Sequence, residues 1–226
     1  MAFRRGGRPG VLRRVVAAAL MLVVAAGCRP PGRSGPPPSP DPKELEPGIV
    51  RAVDLLLVPG LQPMQRLGAD EAAQFDQPTL VGPCGATIPQ PQTDNRLVAV
   101  FVGETAALTE AILVVDESEA EELVASIRDD IRPDCPPQTA VGQDGETQTY
   151  RQGPLVDIGR LAEDRVATLA TLELGEQRLH LGTILLRRNG TLIQALLSSE
   201  EPVEESTVRE LARVLESASL NIEDEA

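Results

Sequence analysis

Aromatic residues and histidine are scarce in this chain. Its 226 residues include no tryptophan, one tyrosine, three phenylalanines and one histidine. Carbohydrate-binding proteins usually stack sugar rings on aromatic side chains, so the composition argues against a carbohydrate-binding platform. The histidine, His180, would need a nucleophile and an orienting acid to act as a catalytic base, and no nearby motif supplies them. We expect His180 to have a structural or surface role.

Motifs of enzymes, cofactor sites and metal sites are missing as well. No G-x-S-x-G, H-E-x-x-H, P-loop or glycine-rich dinucleotide motif occurs. Three acidic runs, 116–122, 129–130 and 200–205, lack the alternating spacing of a calcium-binding loop. Two of them stand where helices are predicted to begin, and the helix dipole favours acidic residues there. The sequence therefore predicts a protein that is not an enzyme and has no cofactor or metal site.

Residues 1–28 have the order of a bacterial export sequence. Five arginines and no acidic residue precede a short apolar run over 15–26, and small residues lead directly to Cys28. This order is typical of a cleaved signal peptide over residues 1–27, and the run is shorter than the roughly 20 residues that cross a bilayer. Cys28 in this position resembles the cysteine of a lipobox, which would place acyl chains such as palmitate on the mature N-terminus. The alternative is an ordinary signal peptide with an unmodified Cys28.

The mature chain would be strongly acidic and tethered. Residues 1–27 contain five of the 21 basic residues and none of the 34 acidic ones, so their removal leaves a net charge of −18. Such a surface repels nucleic acids and anionic lipid headgroups, and attachment would therefore depend on the acyl chains. Residues 28–47 are rich in proline, which predicts an extended or disordered tether. We expect a lipid-anchored protein on the extracytoplasmic face of the cell membrane.

Residues 48–222 are predicted to form one domain, followed by an acidic tail over 223–226. About 175 residues suffice for a single hydrophobic core, and neither a repeat nor a change in composition indicates a second domain. The domain contains two cysteines, Cys84 and Cys135, and in an exported protein such a pair favours a disulfide over two free thiols. The closed loop of about 50 residues would stabilise the fold by roughly 4 kcal/mol.

The sequence predicts three helices. The first covers 48–58, where apolar residues recur at helical spacing. Its apolar stripe consists of Ile49, Val50, Val53, Leu56 and Leu57. The second begins at Ser118, whose hydroxyl would form a capping box with Glu121, and the third is an amphipathic helix over 203–218.

Apolar, β-branched runs predict five strands. They lie at 96–102, 111–115, 166–174, 179–188 and 191–197. The last three form a meander, because a four-residue turn at 175–178 joins the first two and Asn189-Gly190 joins the next. Both residues of that pair tolerate positive φ, which favours a two-residue hairpin. The expected fold is α+β, a single domain in which an antiparallel sheet, a meander with hairpins, is flanked by about three helices.

The order of several motifs resembles a known family. These are VDLLLVPG, PCG, a strand followed by DES and a helix that runs to DC, and RRNGTL before a final amphipathic helix. Together they resemble the PknH-type extracellular sensor domain, which occurs at the outer end of actinobacterial transmembrane Ser/Thr kinases and in free-standing lipoproteins. The resemblance implies a helix-flanked antiparallel sheet with a cleft and a disulfide at Cys84–Cys135. This chain lacks the second cysteine pair and the tryptophan that are common in the family.

The resemblance also implies a function. Such domains are thought to bind a small molecule or an envelope component, and no catalytic residues are established for them. We therefore expect a non-catalytic sensor or ligand-binding module whose cleft lies beside the sheet of residues 166–197, with its ligand-binding residues unassigned. Two alternatives are an envelope lipid carrier, which needs a large apolar cavity, and a structural or protein-interaction lipoprotein, which needs only a surface.

Overall fold

The chain folds around one antiparallel sheet of eight strands. The structure is a computed structural model that describes residues 42–72, 91, 93–131, 135–141 and 147–223. Within these residues the strand order is β1-β2-β3-β8-β7-β6-β5-β4. The strands are β1 Gln65–Arg66, β2 Arg96–Val102, β3 Ala106–Val114, β4 Gln138–Val141, β5 Thr147–Leu155, β6 Asp164–Leu174, β7 Gln177–Arg188 and β8 Thr191–Ser199.

Two long helices and several short ones flank this sheet. The long helices are α3 Glu117–Asp130 and α4 Glu205–Glu223. The short ones are α1 Pro42–Leu45, α2 Ala69–Ala72 and the 3₁₀ turns η1 Glu46–Gly48 and η2 Asp54–Leu57. The predicted α+β class, with a helix-flanked antiparallel sheet in a single domain, is confirmed. No helix in the described ranges is long and apolar enough to cross a membrane.

Each face of the sheet packs against a different long helix, because successive side chains of a strand point to opposite faces. On the α4 face, strand residues pack with α4 and with the segment that contains η1 and η2. On the α3 face, a second cluster joins strand residues to α3. The α4-face strand residues include Leu108, Ile112, Ile184, Leu186 and Ile193. Those of the α3 face include Ala111, Leu113, Val166, Leu185 and Leu192.

The meander of β6, β7 and β8 is present, and its first turn is tighter than predicted. β6 ends at Leu174 and β7 begins at Gln177, so two residues rather than four join them, and Gly175 has a φ of 58°. In the next turn Asn189 has a φ of 48°. Gly190 is needed for a different reason than a positive φ, since a Cβ there would lie 2.5 Å from the carbonyl oxygen of Val115.

The helix predicted over 48–58 is wrong. Only the turns η1 and η2 form there, and the backbone N–H of Val50 donates to Glu110 Oε2 on β3 at 3.1 Å instead of to a helical carbonyl. Leu55 and Val58 are buried, whereas Val53, Leu56 and Leu57 are exposed. The apolar residues therefore do not form one stripe, and Val50 is bound to β3 instead of taking part in a helix.

Several predicted boundaries also change. Asp116 rather than Ser118 caps α3, because its side chain accepts the backbone N–H of Ser118 at 3.0 Å. α4 begins two residues later than predicted and extends to Glu223, which removes that residue from the predicted acidic tail. Leu45 is 1% exposed and belongs to the core, so the domain starts before residue 48. Residues 1–41, with the predicted signal peptide and Cys28, lie outside the described residues.

Candidate functional site

A groove of about 470 Å³ lies where β5 separates from β6. The last pair between these strands is Leu155 with Thr168, after a register shift in β5. Residues 155–158 form one wall of the groove and 163–167 form the other, while Arg128 of α3 lines it from the side. The groove therefore adjoins the sheet of residues 166–197, where the sequence places a cleft.

The first wall is fixed to the rest of the domain. Val156 and Ile158 are buried in the α4-face core, and the backbone N–H of Val156 donates to the carbonyl of Ala167 at 2.9 Å. Arg209 of α4 donates from Nε to the carbonyl oxygen of Asp157 at 3.0 Å. This wall consequently has contacts with both the sheet and α4, which suits a preformed site.

Beside the groove four charged residues form what we term the Arg187 cluster: Arg187, Asp164, Glu163 and Arg128. The Arg187 side chain is 10% exposed and binds Asp164 Oδ2 through Nε at 2.8 Å and Nη2 at 2.7 Å. Its Nη1 lies 3.2 Å from Glu163 Oε2. Arg128 Nη2 donates to Asp164 Oδ1 at 2.9 Å. The hydrogen bond from Arg128, followed by that from Arg187, lowers the pKa of Asp164, although desolvation acts in the opposite direction.

Arg165 differs from these residues. Its side chain is half-buried and lines the groove. It forms no hydrogen bond or ion pair with any residue of the described ranges. Three carboxylates, those of Asp157, Glu163 and Asp164, line the same groove. The groove thus offers the guanidinium of Arg165, which is unpaired within the described residues, beside hydrogen-bond acceptors, whereas the charge of Arg128 is already matched by Asp164.

Comparison with known proteins supports the fold. No protein-family model matches the chain, and no curated protein matches it. A solved structure, the extracellular domain of PknH from Mycobacterium tuberculosis, matches with a TM-score of 0.52 and 8% sequence identity. The match covers 80% of this chain and 98% of that one. This chain has a PknH-like fold. The resemblance inferred from the sequence motifs is confirmed at this level.

Neither His180 nor Cys135, the two described residues among the candidates singled out from the sequence, lines the groove of this PknH-like domain. His180 is a half-buried residue of β7, seven positions and roughly 23 Å of strand from Arg187. It lies on the α4 face of the sheet with Gly182 and Ile184, whereas the sequence did not indicate which face of the strand His180 occupies. Cys135 lies just before β4, but Cys84 is outside the described residues, so their disulfide stays a prediction.

Sequence reasoning missed one further polar residue of the PknH-like domain, Glu110. It lies in the middle of β3 and is 0% exposed on the α4 face. Oε2 accepts the hydrogen bond from Val50, and Oε1 has no hydrogen-bond partner in the described part of the chain. Burial raises the pKa of Glu110 to about 8, against the opposing effects of the Val50 N–H and Arg66. Because Leu108 and Ile112 flank it at alternate positions, strand periodicity could have indicated its burial.

Proposed function

We propose that this chain is a lipid-anchored, extracytoplasmic sensor or ligand-binding module without catalytic activity, and that its groove takes a small anionic molecule. The observation that carries the proposal is the half-buried Arg165, which has no partner among the residues that the structure describes, in a groove with fixed walls. The PknH-like fold supports it, since the matching structure is an extracellular domain. The ligand is an envelope component or another small molecule that presents a carboxylate or phosphate.

The chemistry of the groove limits this ligand further. A guanidinium presents a planar set of donors that matches a carboxylate or phosphate with two parallel hydrogen bonds. Asp157 and Glu163 nearby accept hydrogen bonds and repel additional negative charge. The mature chain, with its expected net charge of −18, also repels polyanions. We therefore favour a ligand with a single anionic group and several hydroxyl or amine donors.

The Arg187 cluster supports binding rather than catalysis. Asp164 accepts hydrogen bonds from two arginines, and its lowered pKa keeps it ionised at neutral pH. A catalytic acid or base works best with a pKa near the working pH, which this arrangement opposes. The cluster instead joins α3, β6 and β7 at the edge of the groove, so its role is to hold the walls in place.

Binding can be tested by thermal unfolding. Envelope extracts, followed by small hydroxylated carboxylates and phosphate monoesters, should raise the melting temperature of the mature chain. At 100 times Kd a ligand that binds only the folded state adds about 2.7 kcal/mol, or roughly 5–10 °C for a domain of this size. Arg165→Gln should abolish the shift, while Arg160→Gln should keep it, because Arg160 is an exposed arginine of the β5–β6 connection that does not line the groove. A shift retained in Arg165→Gln would place the ligand elsewhere.

Lipid attachment can be tested through Cys28. Cys28 follows the small residues of the export sequence, as a lipidated cysteine does. When cells are fed a clickable palmitate analogue, the wild-type protein should therefore be labelled. Cys28→Ala should lose the label completely, because no other residue has the N-terminal cysteine chemistry. Ser34→Ala, a neighbouring change in the tether, should remain labelled. Label on Cys28→Ala, or none on the wild type, would contradict the anchor.

A further inference from the structure

Three aliphatic side chains near the start of the domain are exposed. Val53, Leu56 and Leu57 are 59%, 54% and 72% exposed, respectively. They lie in and just before η2, where Val53 and Leu56, three residues apart, share one side of the turn and Leu57 directly follows Leu56. We name these three residues the η2 patch. Scattered exposed aliphatics need no explanation, but a contiguous group of them marks a surface for a partner or a membrane.

The η2 patch is held firmly by its neighbours. Leu55 and Val58, which alternate with the exposed residues, are 0% and 2% exposed and belong to the core. Thr207 Oγ1 at the start of α4 donates to the carbonyl of Pro59 at 2.8 Å. A segment fixed on both sides presents its apolar side chains without having to become ordered when it binds, which lowers the entropic cost of association.

The charges next to the η2 patch neutralise each other. Arg51 Nε and Nη2 donate to the two carboxylate oxygens of Asp54, each at 2.8 Å. This ion pair therefore adds no net charge beside the patch, on a chain that is strongly acidic as a whole. The three side chains that the patch offers to a partner are apolar.

The position of the η2 patch in the chain indicates what it contacts. Cys28 stands 25 residues before Val53, and 13 residues, 29–41, separate it from the first described residue. Even a fully extended stretch of 13 residues reaches only roughly 45 Å. The tether thus keeps the patch within reach of the bilayer, and the high effective concentration that it creates allows a weak apolar contact to be occupied.

We propose that Val53, Leu56 and Leu57 rest on the bilayer that holds the lipid anchor, inserting into the boundary between headgroups and acyl chains. The proposal rests on the lipid attachment argued above. Docking would turn the η1–η2 segment towards the membrane and give the domain a defined orientation, instead of leaving it to move freely on its tether. Because no basic residues take part, neutral phosphatidylcholine vesicles suffice, and salt has little effect.

The absence of tryptophan makes a direct test possible. Leu57→Trp introduces a single fluorophore at the most exposed position of the η2 patch, and Glu176→Trp introduces one at the exposed β6–β7 turn as the matched control. On phosphatidylcholine vesicles with brominated acyl chains, the emission of Leu57→Trp should shift to shorter wavelength and fall by at least half. The emission of Glu176→Trp should stay unchanged.

Two forms of attachment separate docking from lipidation. In one, the acylated protein is purified from membranes and reconstituted. In the other, the mature chain with Cys28→Ser is held through an N-terminal polyhistidine tag on a nickel-chelating lipid. Quenching of Leu57→Trp in the tagged form supports docking even if the natural anchor proves wrong, and adding Leu56→Ser should reduce that quenching.

Two results would overturn the proposal. One is tryptophan emission from Leu57→Trp that is not quenched in the tagged form, although flotation shows that the protein is bound to the vesicles. The other is a shift to shorter wavelength without bromine quenching that grows with protein density, since this would mean that the patch contacts a second copy of the chain. Replacement of a residue that is 72% exposed should not impair folding, so either result bears on docking itself.

Discussion

Raising the pH from about 4 to 9 should lower the free energy of unfolding by roughly 5 kcal/mol through Glu110 alone. Burial raises the pKa of Glu110 to about 8. Below the ordinary glutamate pKa near 4.5, the carboxyl is protonated in both folded and unfolded chains. Between that value and about 8 only the unfolded chain ionises, so stability falls as the pH rises and the loss is complete above the folded pKa.

Urea unfolding at several pH values can measure this effect. Glu110→Gln keeps the acceptor for the Val50 N–H but cannot ionise, so its stability should change little between pH 5 and 9. Glu176→Gln, a change at an exposed turn residue, should retain the wild-type slope. If Glu110→Gln showed the same slope as the wild type, the buried carboxyl would not be the group that titrates. Arg66 and Glu46 should not be mutated in this experiment, because the charge of Arg66 lowers the pKa of Glu110 and that of Glu46 raises it.

Arg187→Ala should destabilise the protein by about 2–3 kcal/mol. A buried ion pair that loses one partner leaves an uncompensated charge, at a cost of roughly 3–5 kcal/mol when burial is complete. Here Asp164 is 22% exposed and keeps Arg128, which reduces the expected loss. The matched control is Arg178→Ala, which removes an exposed pair with Glu173 and should cost less than about 0.5 kcal/mol.

The pH dependence of the Arg187 variant provides an independent check. Asp164 has a lowered pKa, so the stability that it contributes is present above the unfolded pKa and lost as the pH falls through the folded one. Removing Arg187 takes away one cause of that shift and should make acid unfolding below pH 4 less steep. Equal destabilisation by Arg187→Ala and Arg178→Ala would show that the cluster is no stronger than a surface pair.

The sequence could predict the centre of the sheet but not its polar edge. Apolar alternation in β7 and β8, together with Asn189-Gly190, is local information, and it was sufficient for the meander. β4 and β5 contain Thr and Gln at many positions and little apolar alternation, because they lie at one edge of the sheet. Without apolar alternation the sequence shows no strand periodicity, so β4 and β5 could not be predicted.

The segment around η2 shows why periodicity can also mislead. Its apolar residues fit a helical stripe, yet the partner that fixes the backbone of Val50 is Glu110, 60 residues later in the chain. The groove also depends on contacts between residues far apart in the chain, because the Arg187 cluster combines residues of α3, β6 and β7. Before folding, Arg165 is one arginine among many, and only its surroundings distinguish it as unpaired.

The strands at the two edges of the sheet affect how readily copies of the protein associate. The outermost strands are brief, since β1 has two residues and β4 has four. Long exposed edges recruit strands from other chains and start aggregation, and brief ones do not. Proteins confined to a bilayer meet one another far more often than proteins in free solution. If the protein is anchored as we propose, such brief outermost strands would let its copies crowd together on the bilayer without joining edge to edge.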